Sequence, residues 1–169
     1  DVDAGAGTAM YDGDVTGNIT SSGSSEFSGT VDFTGAAVTG ITTIPARTTA
    51  SGTTLSIADA ATDNLDITGF KAYNMLSIQT SGAAWVRIYA NASSRTADAS
   101  RNETSDPVAN SGVIAEVITT GAETILLTPG VFGFNAETVP TTNIPCAVTN
   151  KTGSTGTVTV TLTLLQAEL

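Results

Sequence analysis

The clearest alternation of apolar and polar positions lies near the end of the chain. Val158, Val160, Leu162 and Leu164 alternate with threonines at 157, 159, 161 and 163. Because successive side chains of a β-strand point to opposite faces, this pattern predicts a strand with a core face and a face of threonine hydroxyls. A slip of one residue would bury four hydroxyls and expose four aliphatic groups, so the register is expected to be fixed.

Shorter strand-like segments, separated by turn residues, fill the chain from residue 50 onward. They are predicted at 53–57, 64–70, 73–80, 84–90, 113–119, 124–127, 131–134 and 144–149. Within 73–80 we expect Leu76 and Ile78 to point inward, and the turn at Ser81-Gly82 predicts a hairpin with 84–90. Eight or nine short strands without a convincing helix predict an all-β fold, an antiparallel β-sandwich of the jelly-roll kind.

A different pattern, one apolar residue followed by a hydroxyl residue and a glycine, recurs between residues 15 and 41. Its copies are Val15-Thr16-Gly17, Phe27-Ser28-Gly29, Phe33-Thr34-Gly35 and Val38-Thr39-Gly40. One copy buries too little apolar surface to offset the roughly 1 to 2 kcal/mol of backbone entropy lost per ordered residue. Neighbouring copies or chains must supply the missing core, which predicts a fibre-like stem that orders within a homotrimer. A disordered Gly/Ser/Thr linker is the alternative.

These patterns divide the chain into an N-terminal arm (1–14), a glycine-punctuated stem (15–45) and a β-sandwich head domain (46–169). The stem is expected to end at Ile44-Pro45, because proline cannot donate to a β-ladder. In the arm, Met10 and Tyr11 are the large apolar residues and the predicted anchor for a partner. The stem residues expected to be buried by assembly are Phe27, Val31, Phe33 and Val38.

Acidic residues outnumber basic residues, 16 against six, which gives a net charge of −10. Nucleic acid and anionic membranes both require a basic patch, so neither is expected as a partner. The chain has no run of 18 apolar residues and no basic-then-apolar leader, so we expect neither a transmembrane helix nor a signal peptide. Asp12-Gly13-Asp14 is compatible with a weak divalent-cation site, but a solvated acidic face is favoured, and no metal is expected.

Residues that carry enzyme chemistry are sparse. The chain has no histidine and one cysteine, which excludes His-dependent triads and a Cys/His nucleophile and argues against zinc. Cys146 lies in an apolar run and is expected to be buried. A glycosidase needs two carboxylates at a set separation, and the spacing of the acids selects no such pair. The available acids are Asp98, Glu103, Asp106, Glu116 and Glu123. We therefore expect neither an enzyme nor a cofactor.

One predicted strand, 84–90, carries aromatic and guanidinium groups on a single face. Trp85, Arg87 and Tyr89 share that face, opposite Val86 and Ile88. Such groups recognise sugars and acidic glycans when they are exposed. In the alternative, favoured interpretation they form a second packed layer, with the aromatic rings at a subunit interface and Arg87 paired with an acid. An exposed Trp85 or Tyr89 beside a shallow groove would favour a carbohydrate-binding module whose outer face is the functional part, whereas burial of both would rule that module out.

The polar segment 92–112 that follows adds two more guanidinium groups. A helical turn at 94–101 would bring Arg95, Asp98 and Arg101 within salt-bridge reach, since they are three residues apart. Segments of this length in compact domains tend to be functional or to be ordered by their own contacts. The complete set of candidate ligand-binding residues is Trp85, Arg87, Tyr89, Arg95 and Arg101.

Several segments occur here in a characteristic order. A VTG/FTG stem and an Ile-Pro closure are followed by Ala84-Trp85-Val86-Arg87-Ile88-Tyr89, by 94–101, by Gly112-Val113-Ile114-Ala115-Glu116 and by the threonine-rich final strand. This arrangement resembles fibre or appendage proteins of tailed bacteriophages, especially of marine cyanophages. The resemblance covers about residues 15–169 and implies a trimeric, non-enzymatic virion structural protein.

We therefore expect a homotrimeric fibre or decoration subunit on the exterior surface of a virion. The arm and stem would attach it to other virion proteins of the capsid or tail, and the β-sandwich would be displayed outward, where a host surface glycan is a possible partner. A carbohydrate-binding receptor module is the alternative; a small glycan hydrolase and a bacterial surface filament subunit are further ones.

Overall fold

The computed structural model describes residues 45–168, which form eight β-strands and one short helix. The strands are β1 Thr48–Thr53, β2 Thr62–Thr68, β3 Ala72–Thr80, β4 Ala84–Tyr89, β5 Val113–Thr119, β6 Glu123–Phe134, β7 Asn143–Asn150 and β8 Thr159–Glu168, and the helix is α1 Ala92–Ala97. The predictions for the arm, the stem and a cation site at Asp12-Gly13-Asp14 lie outside the described residues. So do the predicted anchor and stem residues Met10, Tyr11, Phe27, Val31, Phe33 and Val38.

The strands form two antiparallel sheets of four strands each, which confirms the all-β prediction. The first sheet has the order β1-β8-β3-β6 and the second has the order β2-β7-β4-β5. Every sequential connection except that between β4 and β5 therefore crosses from one sheet to the other. In the part of the chain that the structure describes, no helix is long and apolar enough to cross a membrane.

The strand pairing fixes which connections share an end of the molecule. Thr48 pairs with Leu164 and Thr53 pairs with Thr159, so β1 begins where β8 finishes. We call this the entry end, because residue 45 leads into it. The opposite end, here the far end, carries the connections 54–61, 81–83, 120–122 and 151–158.

The core lies between the two sheets and is built by inward side chains of both. From the first sheet, Val158, Val160, Leu162 and Leu164 are completely buried, which confirms the predicted core face of the last strand. Val86 and Ile88 face them from the second sheet, as the sequence predicts. The remaining buried members are Ile67, Tyr73, Met75, Ile78, Ala84, Val117, Ile144, Cys146 and Val148. Burial raises the pKa of the Cys146 thiol to about 12.

Three sequence predictions of strand geometry are wrong. The predicted hairpin between 73–80 and 84–90 does not form, because β3 and β4 belong to different sheets. Leu76 does not join the core, since it is the extra residue of a bulge between Met75 and Ser77, and the inward positions around it are Met75 and Ile78. The predicted strand at 53–57 is mostly a connection, held by a bridge from Ile57 to Gly156.

Strand β6 runs through the break that we predicted at Pro129-Gly130. On β3, Ser77 pairs with Leu126 and Met75 pairs with Val131. Residues 127–130 of β6, Pro129 among them, therefore lie opposite Leu76 alone and form a bulge. The proline is tolerated because β6 lies at the edge of its sheet, where a missing N–H interrupts no central ladder.

Gly133 gives β6 close contact with the core. A Cβ atom at this position would lie 2.6 Å from the Tyr73 ring, which is 1% exposed and cannot swing into solvent. Gly133→Ala is therefore expected to lower the free energy of unfolding by about 1 to 3 kcal/mol through overpacking. Urea denaturation would measure the loss, with Gly121→Ala as the control because nothing lies within 4 Å of a Cβ there. Equal losses in the two variants would contradict the prediction.

Candidate functional site

The segment 90–112, here the excursion, folds over the outer face of the second sheet. It begins with helix α1, where the Ser94 backbone N–H donates to Oδ1 of Asn91 at 2.7 Å and caps the helix. The Ala90 N–H donates to the Gly112 carbonyl at 2.8 Å, so both ends of the excursion are joined. This long polar segment is thus ordered by its own contacts.

Asp98 is the point at which the excursion meets the sheet. The Tyr89 hydroxyl donates to Oδ2 of Asp98 at 2.7 Å, and Nε of Arg101 donates to Oδ1 at 2.8 Å. Nη1 of Arg87 lies 3.8 Å from the same carboxylate. Burial by itself raises the pKa of Asp98, but the hydrogen bonds from Arg101 and Tyr89, together with the positive charges of both arginines, hold it below its ordinary value. Asp98 is therefore an ionised carboxylate inside the molecule.

Arg101 connects the excursion to β5. Its Nη2 donates a short hydrogen bond to the Glu116 carboxylate, and its Nη1 donates to the Ser105 carbonyl at 2.8 Å. Hydrogen bonds to Glu116 and Asp98 offset the effect of burial and raise the pKa of Arg101 above its ordinary value. Two arginines and two acids are thus closely associated under the excursion.

Arg87 is the least well paired member of this group. Its guanidinium carbon lies 3.8 Å from the centroid of the Trp85 ring, in a cation–π contact. Its Nη atoms reach the Asp98 carbonyl and Oγ1 of Thr149 only at 3.4 and 3.5 Å, the long limit for hydrogen bonds. Among the described residues, Nε of Arg87 and Nε1 of Trp85 are buried without a hydrogen-bond partner.

A pocket of about 410 Å³ lies beside these two side chains, toward the far end. An ion pair of 2.6 Å joins two of its residues, Lys151 on the β7–β8 connection and Glu103 on the excursion. The residues lining the pocket are Asp59, Ala60, Thr62, Trp85, Arg87, Ala99, Arg101, Asn102, Glu103, Thr149, Asn150 and Lys151. Its wall is therefore polar and carries both signs of charge.

The structure separates the predicted ligand-binding residues into two groups. Trp85, Arg87 and Arg101 line the pocket, whereas Tyr89 lies behind them and donates to Asp98. Arg95 is turned away, because its Nη1 donates to the Leu65 carbonyl at 2.6 Å and to Asp66 at 2.7 Å. Of the predicted salt bridges at a spacing of three, the one between Asp98 and Arg101 forms and the one with Arg95 does not.

Neither aromatic ring forms an open platform. Trp85 is 5% exposed and Tyr89 is 1% exposed, so the condition that we set for sugar stacking on this face is not met. The packed-layer alternative describes the arrangement better, although the covering layer is the excursion of the same chain, and the acid that faces Arg87 is Asp98.

Sequence reasoning missed Asp59 and Lys151, which other connections bring to the pocket, and did not place Glu103 beside Lys151. Glu103 and Lys151 are 48 positions apart, and Asp59 belongs to the β1–β2 connection. No local spacing links these residues, so no signal in the sequence could have found their association. In the described region no group of three His, Cys, Asp or Glu residues could hold a metal ion.

Comparison of the chain with protein-family models, with curated proteins and with solved structures finds no match.

Proposed function

We propose that the chain is a subunit of a homotrimeric fibre or decoration on the exterior of a tailed-phage virion. It attaches through its N-terminal arm and stem and displays the β-sandwich outward. The strand orders β1-β8-β3-β6 and β2-β7-β4-β5 support this role, since they fit a jelly roll, an architecture common among viral capsid and binding domains.

The positions of the two ends also support outward display. Residue 45 leads into the entry end, whereas the pocket lies toward the far end, between the β1–β2 and β7–β8 connections. A head domain held by its preceding segment would therefore present the pocket and the far-end connections away from the point of attachment.

An exposed apolar surface on β6 is the observation that carries the trimer proposal. Leu126, Phe132 and Phe134 point outward from this edge strand and are 71%, 63% and 52% exposed. We call these three residues the apolar stripe. Large apolar side chains clustered on an exposed strand mark an interaction surface. Phe134 pairs with Ala72, which pairs with Glu168, so the stripe extends to the entry end, where chains joined by their stems would converge.

A structural rather than catalytic role is favoured by how the acids are used. Asp98 and Glu116 are both engaged by the buried Arg101. These two carboxylates were candidates for a glycosidase pair, and each is held by a buried cation.

The trimer proposal predicts a change of mass when the stripe is made polar. Light scattering should give the full chain a trimeric mass, and Phe132→Ser combined with Phe134→Ser should lower that mass or weaken the assembly, because the buried apolar area is lost. Leu55→Ser combined with Val108→Ser is the matched control, since both residues are 74% exposed and lie outside the stripe.

Each alternative has its own outcome. A trimer that persists in the stripe variant would reject the stripe as the interface and leave assembly to the stem. A monomeric full chain would reject the fibre proposal.

A further inference from the structure

Arg87 combines deep burial with few acceptors. It is 1% exposed, yet its Nε has no partner within the described residues and its Nη contacts are long. The nearest carboxylate, that of Asp98, lies 3.8 Å away and already accepts hydrogen bonds from Arg101 and Tyr89. A buried guanidinium ion is costly unless acceptors surround it, so this cation has capacity for a further acceptor.

We propose that the pocket beside Arg87 binds the carboxylate of an acidic sugar residue, such as a terminal uronic acid. The planar guanidinium fork matches a carboxylate in geometry as well as in charge. This inference goes beyond the structural role proposed above and does not require a trimer.

The composition of the wall favours a carboxylated sugar over a phosphate or an apolar ligand. Asp59 and Glu103 also line the pocket, so a dianion would meet more repulsion than a single negative charge. Thr62 and Asn102 supply hydroxyl and amide groups that suit sugar hydroxyls. A volume of about 410 Å³ lies within the range of small-molecule sites.

Lys151 is the accessible cation of the site. Its side chain is 31% exposed and that of its partner Glu103 is 35% exposed. Ion pairs this exposed contribute little, so Lys151 exchanges Glu103 for a ligand carboxylate at small cost. The ligand carboxylate then lies between Lys151 at the rim and Arg87 within.

Trp85 provides a specific readout, because it is the only tryptophan in the chain and lines the pocket. Its indole N–H has no protein partner in the described part of the molecule, and its ring lies against the Arg87 guanidinium. A nitrogen–proton correlation spectrum of the full chain contains one indole signal, and a ligand carboxylate beside Arg87 shifts it.

The test is a titration of the ¹⁵N-labelled full chain with D-glucuronate, with D-glucose as the neutral match and acetate as a carboxylate without a sugar. Glucuronate is expected to shift the indole signal saturably with an affinity of about 1 mM, acetate more weakly, and glucose not at all. Lys151→Gln should weaken glucuronate binding about tenfold, whereas Lys71→Gln, outside the pocket lining, should leave it unchanged. Arg87→Lys keeps the charge but loses the fork and should also weaken binding.

Four results would overturn the proposal. These are the absence of any saturable shift, equal binding of glucose, wild-type affinity in Lys151→Gln, and inorganic phosphate binding in preference to glucuronate. This test is independent of the proposed assembly. A monomeric chain that binds glucuronate would reject the trimer but not the binding site. A trimer that does not bind glucuronate would reject the binding site but not the trimer.

Discussion

Asp98→Asn is expected to lower the free energy of unfolding by about 3 to 5 kcal/mol, measured by urea denaturation. The carboxylate is 7% exposed and is the shared partner of Tyr89, Arg101 and Arg87. Asparagine keeps the shape but removes the charge, which leaves Glu116 as the remaining acid close to two buried guanidinium groups. The loss is large because an uncompensated buried charge costs more than the contact itself contributes.

Asp106→Asn is the matched control, since this acid lies in the same excursion but is exposed, and its effect should stay within about 0.5 kcal/mol. Acidification provides a second check. A carboxyl whose pKa is lowered by folding stabilises the fold above its unfolded pKa of about 3.9, and that contribution is lost as the pH falls through the lower folded pKa. The difference between wild type and Asp98→Asn should therefore shrink in acid. Equal effects of the two substitutions, or a difference independent of pH, would contradict the assigned role of Asp98.

Leu162→Ala is expected to cost about 2 to 5 kcal/mol of unfolding free energy, because it leaves a cavity at a completely buried position between the two sheets. Strand β8 is central in its sheet, between β1 and β3, so the neighbouring strands cannot easily collapse into the space. Thr161→Ala, one residue earlier on the opposite face, should cost less than about 1 kcal/mol. Urea denaturation of both variants measures the two losses of unfolding free energy. Comparable losses would contradict the assignment of Leu162 to the core face of β8 and of Thr161 to its outer face.

The features that could be predicted from the sequence are those whose cause is local. The period of two in β8 assigned its core face correctly, and the same argument placed Val86 and Ile88 opposite Trp85. The face of threonines also forms, with Oγ1 atoms of Thr53 and Thr159 2.8 Å apart across neighbouring strands.

The features that could not be predicted depend on distant partners. A short turn between β3 and β4 resembles a hairpin, but which sheet each strand joins is decided by β6, β7 and β8. The prediction for Leu76 was wrong because a β-bulge at this residue interrupts the alternation of inward and outward side chains. In the candidate site, the ion pair between Asp98 and Arg101 could be predicted from their spacing of three residues. Arg95 instead pairs with Asp66 on β2, which is distant in the sequence.

Because the entry end and the far end lie apart, we expect the two ends to diverge in sequence to different extents. The apolar stripe extends to the entry end, whereas residues 54–61 and 151–157 of the far-end connections contribute to the pocket and belong neither to the stripe nor to the core. Substitutions and length changes in these connections therefore alter what the molecule presents without altering how its copies would associate. Related chains that meet different surfaces are expected to differ most in these far-end connections and least along β6 and β8.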